Sequence, residues 1–443
     1  MMSLLGRNSR KRVVILLVLT GLSVYELNHF LPTLYISPIQ TSPIKGVRRS
    51  NDFALNISRT ERSDWKTEEL HRLGDLVQRR LHYLQNPKDC ENAKKILCNF
   101  TRGAGYGSQM DDWLLCLIVA YATERTLIVD SKGWRYAKQG LETVFLPLST
   151  NCTSTKNQSV IQIKDIRNIQ SIKEVVQLPR NFHVFDRPMY LPKSIPEDLA
   201  EEITRVHKNP SGWWIGQFLV YLTRQNQGLK SFIEQNIRNL GFRHPIVGLH
   251  VRKTDKIKEL KKLRNLSEYM THVEQWYDSY ERRHGAAQRR IFLATDDPTV
   301  ITMARESYPN YTFVNNVNAS ELAKKWSTRF SESSLYGLLL DIQMLSMSDF
   351  VVCTMSSNIG RRVYELMHAS YWDAPARIKS LDIEYAFHYH RNAEHLTQHR
   401  NRRFTVLKDI SHPHNITITL DNKRNRVKMP TYNEVPWSVR TII

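Results

Sequence analysis

Several signatures that would name a chemistry at once are missing from this sequence. It has no histidine and cysteine cluster at metal-ligand spacing and no G-x-S-x-G turn for a serine nucleophile, so neither reading has a motif to rest on. Five cysteines in 443 residues are too few for a disulfide scaffold, and an odd number leaves at least one thiol unpaired in an oxidising compartment. Seventeen glycines and seventeen prolines, without an internal repeat, exclude collagen-like and low-complexity chains. No apolar run reaches the roughly 20 residues of a full membrane span. Acid is scarce relative to base: 43 Asp and Glu against 63 Lys and Arg leave a formal charge of +20. That balance favours a polyanionic partner but does not choose among nucleic acid, an anionic membrane surface and a phosphorylated substrate.

What is present begins with a targeting segment. Arg7, Arg10, Lys11 and Arg12 precede the apolar stretch Val13 to Tyr25, and Phe30 to Ile36 continues it beyond the polar break at Glu26, Asn28 and His29. We read 1–12 as a cytosolic tail and 13–36 as a signal anchor, with a cleaved signal at Gly21-Leu22-Ser23 as the alternative. The basic flank then places the remainder of the chain in the lumen. Eight N-x-S/T sequons, at Asn56, Asn99, Asn151, Asn157, Asn265, Asn310, Asn318 and Asn415, agree with that address, although several would occur by chance. Residues 37–64, without apolar periodicity, read as a flexible stem.

From Trp65 the pattern changes. Leu70, Leu73, Leu76, Val77, Leu81 and Leu84 recur at helical steps and predict an amphipathic stem helix that ends before Asn86-Pro87 and packs on the main domain or on a partner copy. The body then alternates. Strands are predicted at 95–100, 125–130, 245–251, 290–295, 312–315 and 349–354, and helices at about 110–123, 197–240, 267–284, 298–307, 333–347 and 357–370. Such alternation implies an α/β fold of parallel sheets covered on both faces, in two Rossmann-like halves.

In such sheets ligands bind beyond the carboxyl ends of strands, so the residues after each apolar run deserve inspection. His250, Arg252, Lys253, Thr254 and Asp255 close one run, Asp296 and Asp297 a second, and Ser356 and Ser357 a third. Two adjacent cations at a strand end suit a diphosphate, and the amides opening the helix at Ser357 would favour an anion in the same crevice. Asp341, on the preceding helix, could accept donors from a ribose or a base. Each has a plainer reading. Arg252 and Lys253 could pair with Asp255 or Asp297, and Asp296-Asp297-Pro298 is a good helix start. The Gly103, Gly105, Gly107 loop is out of step with a dinucleotide fingerprint, and Asp111 and Asp112 read best as dipole compensation at a helix start.

Taken in order, these segments resemble the core alpha-1,6-fucosyltransferases and, more distantly, bacterial nodulation fucosyltransferases. The likeness runs through LVQRRLHYLQNPKDC (76–90), GAGYGSQ (103–109), WRYAKQGLETVF (134–145), HPIVGLHVRKTDK (244–256), LATDDP (293–298) and LLLDIQMLSMSDFVVCTMSSN (338–358). It implies a GT-B-like glycosyltransferase domain over 65–394, in a type II Golgi membrane protein. It also implies inverting, metal-independent transfer of fucose from GDP-fucose to the innermost N-acetylglucosamine of N-glycans. Tyr136, His250, Arg252, Lys253, Asp296, Leu338, Asp341, Ser356 and Ser357 match donor contacts, and Arg252, Lys256, Glu259 and Asp297 form the implied catalytic set. Cys90 with Cys152, and Cys98 with Cys116, are the implied disulfides, leaving Cys353 free.

The departures matter as much. Lys253 replaces a second arginine, keeping the charge but losing the bidentate fork. Leu260 stands where the family places its catalytic glutamate, so Glu259 could serve only if the loop shifts by one residue. The family's N-terminal coiled coil is reduced to one helix, and 395–443 is a basic tail to which no SH3-like fold is assigned. A homodimer is left open. A catalytically weak homologue that binds GDP-sugar or glycan is the rival reading, as is a different acceptor. A heparin-binding or nucleic-acid-binding protein rests on charge alone, and nucleic acid is not expected as a partner.

Overall fold

The computed structural model describes residues 65–99, 104–163, 169–178, 190–192, 194–253, 264–387 and 403–404, all within the unit Asn56–Ile443. The anchor, the stem, most of the C-terminal tail, Asn56, Asn415, Lys256, Glu259 and Leu260 lie outside them. Among the described residues no helix is long and apolar enough to cross a membrane.

The first helix, α1 (Trp65–Gln85), is no separate stem. Leu70, Leu73, Val77 and Leu81 are buried, Gln78 donates to the carbonyl of Gln217, and Arg80 pairs with Asp198 at 2.6 Å in a buried contact. Burying four such side chains contributes on the order of 6–12 kcal/mol before entropy is counted, which makes the helix part of the body. The amphipathic stripe is therefore a packing stripe.

The first half is a parallel sheet of β1 (Lys95–Cys98), β2 (Thr126–Val129), β3 (Val160–Gln162) and β4 (Val175–Gln177), in the order β2-β1-β4-β3. Between β1 and β2 runs α2 (Tyr106–Ala122), buried almost end to end. It begins four residues before the predicted 110, because Gly107 belongs to its first turn. A Cβ there would stand 2.5 Å from Cβ of Asn358, so only glycine allows the approach. The two implied disulfides are present: Cys98–Cys116 ties β1 to α2, and Cys90–Cys152 ties the turn after α1 to the loop after β2. Cys353 is free and buried. Next come β5 (Ile195–Pro196), α3 (Glu197–Val206), α4 (Pro210–Leu222) and α5 (Gln227–Asn239). Asn209 and Asn226 cap α4 and α5 with their side-chain oxygens, dividing the predicted 197–240 stretch into three helices.

The second half follows as β6 (Ile246–Val251), α6 (Leu266–His284), β7 (Arg290–Thr295), α7 (Thr299–Ser307), β8 (Thr312–Val314), α8 (Val317–Lys324), α9 (Glu332–Met347), β9 (Phe350–Cys353), α10 (Asn358–Ser370) and β10 (Ile378–Ser380). A two-residue β11 (Arg403–Phe404) pairs with β5. The second sheet is parallel throughout, in the order β10-β9-β6-β7-β8, so the chain starts in the middle and winds outward both ways. That order puts the topological switch between β6 and β9, where a doubly wound sheet opens a crevice. Strand β6 is buried at every position, as the continuous apolar run required.

The two halves are pinned by charge as well as by glycine. Asp111 of α2 is buried and pairs with Arg361 at 3.3 Å and Arg362 at 2.6 Å, both on α10. Arg362 also holds Glu365 at 2.8 Å, and the Tyr385 hydroxyl donates to the same carboxylate at 2.7 Å. The first turn of α2 contains no acid, so dipole compensation does not explain Asp111. Burial raises Glu365 to about 7 against the pull of Arg362, a sign of how costly this cluster is to desolvate. Asp111→Ala, which strips Arg362 of one carboxylate partner, should lower stability by about 3 kcal/mol. A urea midpoint equal to that of the wild type would contradict this role.

A second buried group gives a pH dependence. His207 accepts from the Asn209 amide and contacts the Tyr371 carbonyl at 3.1 Å; burial holds it down to about 4, below its ordinary 6.5, although those contacts pull upward. Between pH 6.5 and about 4 the unfolded chain therefore binds the extra proton, and stability is lost as pH falls through that window. The stability gap between wild type and His207→Gln should shrink from pH 7 to pH 5. A constant gap would show that His207 is not the titrating group.

Candidate active site

Strand β6 carries His250 near its end and is followed by Arg252, and β7, paired with it as far as Val251 opposite Thr295, is followed by Asp296. Asp296 is buried; its Oδ1 accepts the Lys253 amide at 2.8 Å while its Oδ2 faces the Arg252 guanidinium at 3.3 Å. One carboxylate thus fixes both the chain turn after β6 and the direction of the cation. The plainer reading pairs Arg252 with Asp255 or Asp297; Asp255 lies outside the described residues, and among those described Arg252 pairs with Asp296. Asp297 instead accepts the Thr299 amide at 3.2 Å, with Lys324 of α8 at the same distance. The helix start predicted there holds, with Pro298 rather than an aspartate at the N-cap position. Burial would raise the Asp297 carboxyl, but Thr299 and Lys324 outweigh it and leave it lowered.

His250 is buried and its Nδ1 has no hydrogen-bond partner. Burial first, then the Arg252 charge, bring it down to about 4, with Asp296 only partly opposing. It is a neutral imidazole at ordinary pH, able to accept or donate at one nitrogen but not to act as a cation.

Tyr136 reaches the crevice from the other half. Its hydroxyl accepts the Tyr106 amide at 3.0 Å, and its ring lies 5.5 Å from Trp134 and 5.4 Å from Phe330. Trp134 in turn donates to Gln109 at 2.7 Å and meets Trp113 edge-on. Burial raises the phenol, while the Tyr106 amide and then the charges of Arg329, Arg252 and Arg135 lower it in part.

Asp341 lies on α9, with half-buried Leu338 one turn before it. It is buried with Oδ1 unpartnered; burial pushes its carboxyl well above the carboxylate range despite a hydrogen bond with Asn316. Gly337 lets α9 sit against α8, since a Cβ there would meet Ala319 at 2.8 Å. Ser356 and Ser357 follow β9, the strand beside β6. Ser357 is the N-cap of α10 and Ser356 Oγ is buried without a partner, but the Met355 and Ser356 amides are taken by Asp382 at 2.8–3.4 Å. An anion at this turn would have to use the amides from Asn358 onward. Lys256 and Glu259, with Leu260, fall outside the described residues. Among the described residues there is no group of three or more His, Cys, Asp or Glu able to hold a metal ion. Asn151, Asn157, Asn265, Asn310 and Asn318 are exposed, while Asn99 is half-buried and donates to Asp130 at 3.2 Å.

Residues 52–385 match the family described as Alpha-(1,6)-fucosyltransferase N- and catalytic domains. The chain belongs to that family. The Alpha-(1,6)-fucosyltransferase of Drosophila melanogaster is 44% identical over 78% of this chain and 55% of its own length, and that of Caenorhabditis elegans 35% identical over 69% and 55%. This chain therefore spans about half the length of the curated relatives it matches. A structure of POFUT1 in complex with GDP-fucose is 11% identical, with a TM-score of 0.40 over 67% of this chain and 99% of that one. One of NodZ alpha-1,6-fucosyltransferase soaked with GDP-fucose is 18% identical, with a TM-score of 0.34 over 62% and 92%. Likeness at that level adds nothing to the assignment.

Four residues of this fucosyltransferase-family site escaped the sequence reading: Arg135, Asn316, Arg329 and Asp382. Arg135 stood inside the WRYAKQ segment beside Tyr136, a usable signal; Arg329 and Asn316 become visible only once α9 packs on α8 and against β6 and β7. The state of His250 can be checked directly. Imidazole chemical shifts followed by NMR should show it neutral down to about pH 4, and a midpoint near 6.5 would contradict the burial that defines the crevice.

Proposed function

We propose that this chain is an inverting, metal-independent glycosyltransferase of GT-B-like architecture. It moves fucose from GDP-fucose to the 6-hydroxyl of the innermost N-acetylglucosamine of N-glycans. One observation supports the reading: in a chain of this family, three buried polar atoms without protein partners sit on the elements that meet at the switch between β6 and β9, His250 Nδ1 on β6, Ser356 Oγ just after β9 and Asp341 Oδ1 on α9, which packs against β6. Buried polar atoms are seldom left unpaired, and each is a natural contact for a nucleotide sugar.

The chemistry follows from charge. As the bond from fucose to phosphate breaks, negative charge gathers on the departing GDP, and Arg252, aimed by Asp296, with Lys253 beside it, would stabilise that charge. Asp341 can take N–H donors from the edge of guanine, which offers two. Tyr136 would bound the diphosphate from the other half, while Leu338 gives the base an apolar wall. The acceptor hydroxyl must lose its proton. Glu259, Lys256 and Asp297 are the groups we assign to that step, with Glu259 as the base, and the help of such a base is worth roughly 10²- to 10⁴-fold. The protein would work as a Golgi type II membrane protein, its anchor at 13–36 and its catalytic domain lumenal.

Leu260 at the family's glutamate position favours a second reading, a homologue that binds GDP-sugar or glycan without efficient turnover. Release of GDP from GDP-fucose by the full chain separates the two, using a biantennary N-glycan with exposed N-acetylglucosamine as acceptor. Glycan-dependent release is expected, and Arg252→Ala should reduce it about 10²- to 10³-fold. Donor binding without release would leave the binding homologue, and absence of donor binding would end the transferase and leave only a homologue that binds glycan.

A further inference from the structure

Trp326 is the most exposed large apolar side chain among the described residues, at 69%. It stands in the link between α8 and α9, yet it is held rather than loose. Phe330 meets it edge-on at 5.2 Å and 80°, the Arg135 guanidinium lies 5.0 Å from its ring, and the Thr328 and Arg329 amides close a turn on the Lys325 carbonyl. One end of this link is anchored beside Arg252 and the other on Tyr136 of the opposite half. Lys324 binds Asp297, the neighbour of the carboxylate that aims Arg252, and the Phe330 ring lies 5.4 Å from Tyr136, whose hydroxyl feels the Arg252 charge.

We propose that Trp326 is a platform for the acceptor, stacking its open indole face on a pyranose ring of the glycan next to the one that is modified. This rests on the transferase reading for the identity of the crevice and adds where its second substrate lies. A hydroxyl that attacks the donor sugar must enter beside Arg252, so the rings that carry it pass the rim on which Trp326 stands. A pyranose presents an apolar C–H face ringed by hydroxyls, which suits an indole with Arg135 and Arg329 nearby. A single ring of this size, rather than a broad apolar patch, fits one sugar better than a protein surface.

The test uses the full chain as wild type, W326A and W326F, with the same biantennary glycan. Tryptophan fluorescence is followed during glycan titration, and KM for glycan, KM for GDP-fucose and kcat are measured. W326A should raise the glycan KM about tenfold, leave the donor KM within about twofold and lose the glycan-dependent fluorescence change. W326F should keep the glycan KM within about threefold. A W326A glycan KM within about twofold of wild type overturns the platform while leaving the transferase intact. Glycan binding that depends on Trp326 without turnover upholds the platform and sinks the transferase, and a wild type that neither binds nor modifies the glycan sinks both.

Discussion

The close approach of α2 to α10 is the constraint on which the crevice depends. Gly107 has no side chain because Asn358 occupies the place of one, and four residues on, Asp111 takes hold of Arg361 and Arg362. Helix α10 starts at the end of β9, so this seam fixes where the β9 turn sits relative to the glycine loop and to Tyr136 behind it. A buried ion pair adds little net stability, but breaking one is costly, so such a seam admits one register and penalises others.

Around that seam the labour is divided. Arg252 carries the charge, but Asp296 decides where it points and at the same time fastens the turn that presents it. Trp134 and Phe330 set Tyr136 by packing, while Asn316 sets Asp341 by a hydrogen bond from the start of α8. Burial, more than neighbouring charge, keeps His250 neutral and Asp341 reluctant to ionise. A polar ligand that supplied the missing bonds would meet groups already desolvated, and little reorganisation would remain to oppose binding.

Much of this frame could be read from the residues. The strands at 290–295 and 246–251 fell where continuous apolar runs put them, because a strand buried on both faces must be apolar throughout. Short strands such as β3 and β4 were passed over, since three residues give no periodicity and β3 is exposed at every position. Helix α8 was missed for the same lack of a stripe. His250, Arg252, Asp296 and the serines after β9 were found because strand ends are where such sheets act. Asp111 was misjudged because two adjacent acids look alike in a sequence whether they face water or a pair of arginines 250 and 251 residues further along the chain; only the fold puts α10 opposite them. The loop that carries Lys256 and Glu259 was reached through family resemblance, and its residues are not among those described.

The central claim is that the switch between β6 and β9 holds a nucleotide sugar. A structure of the full chain with GDP tests it most directly. The diphosphate should lie within hydrogen-bond reach of Arg252 and the guanine edge at Asp341 Oδ1, with His250 Nδ1 and Ser356 Oγ partnered. GDP bound elsewhere, or a crevice whose polar atoms keep no nucleotide contact at saturating GDP, would contradict it.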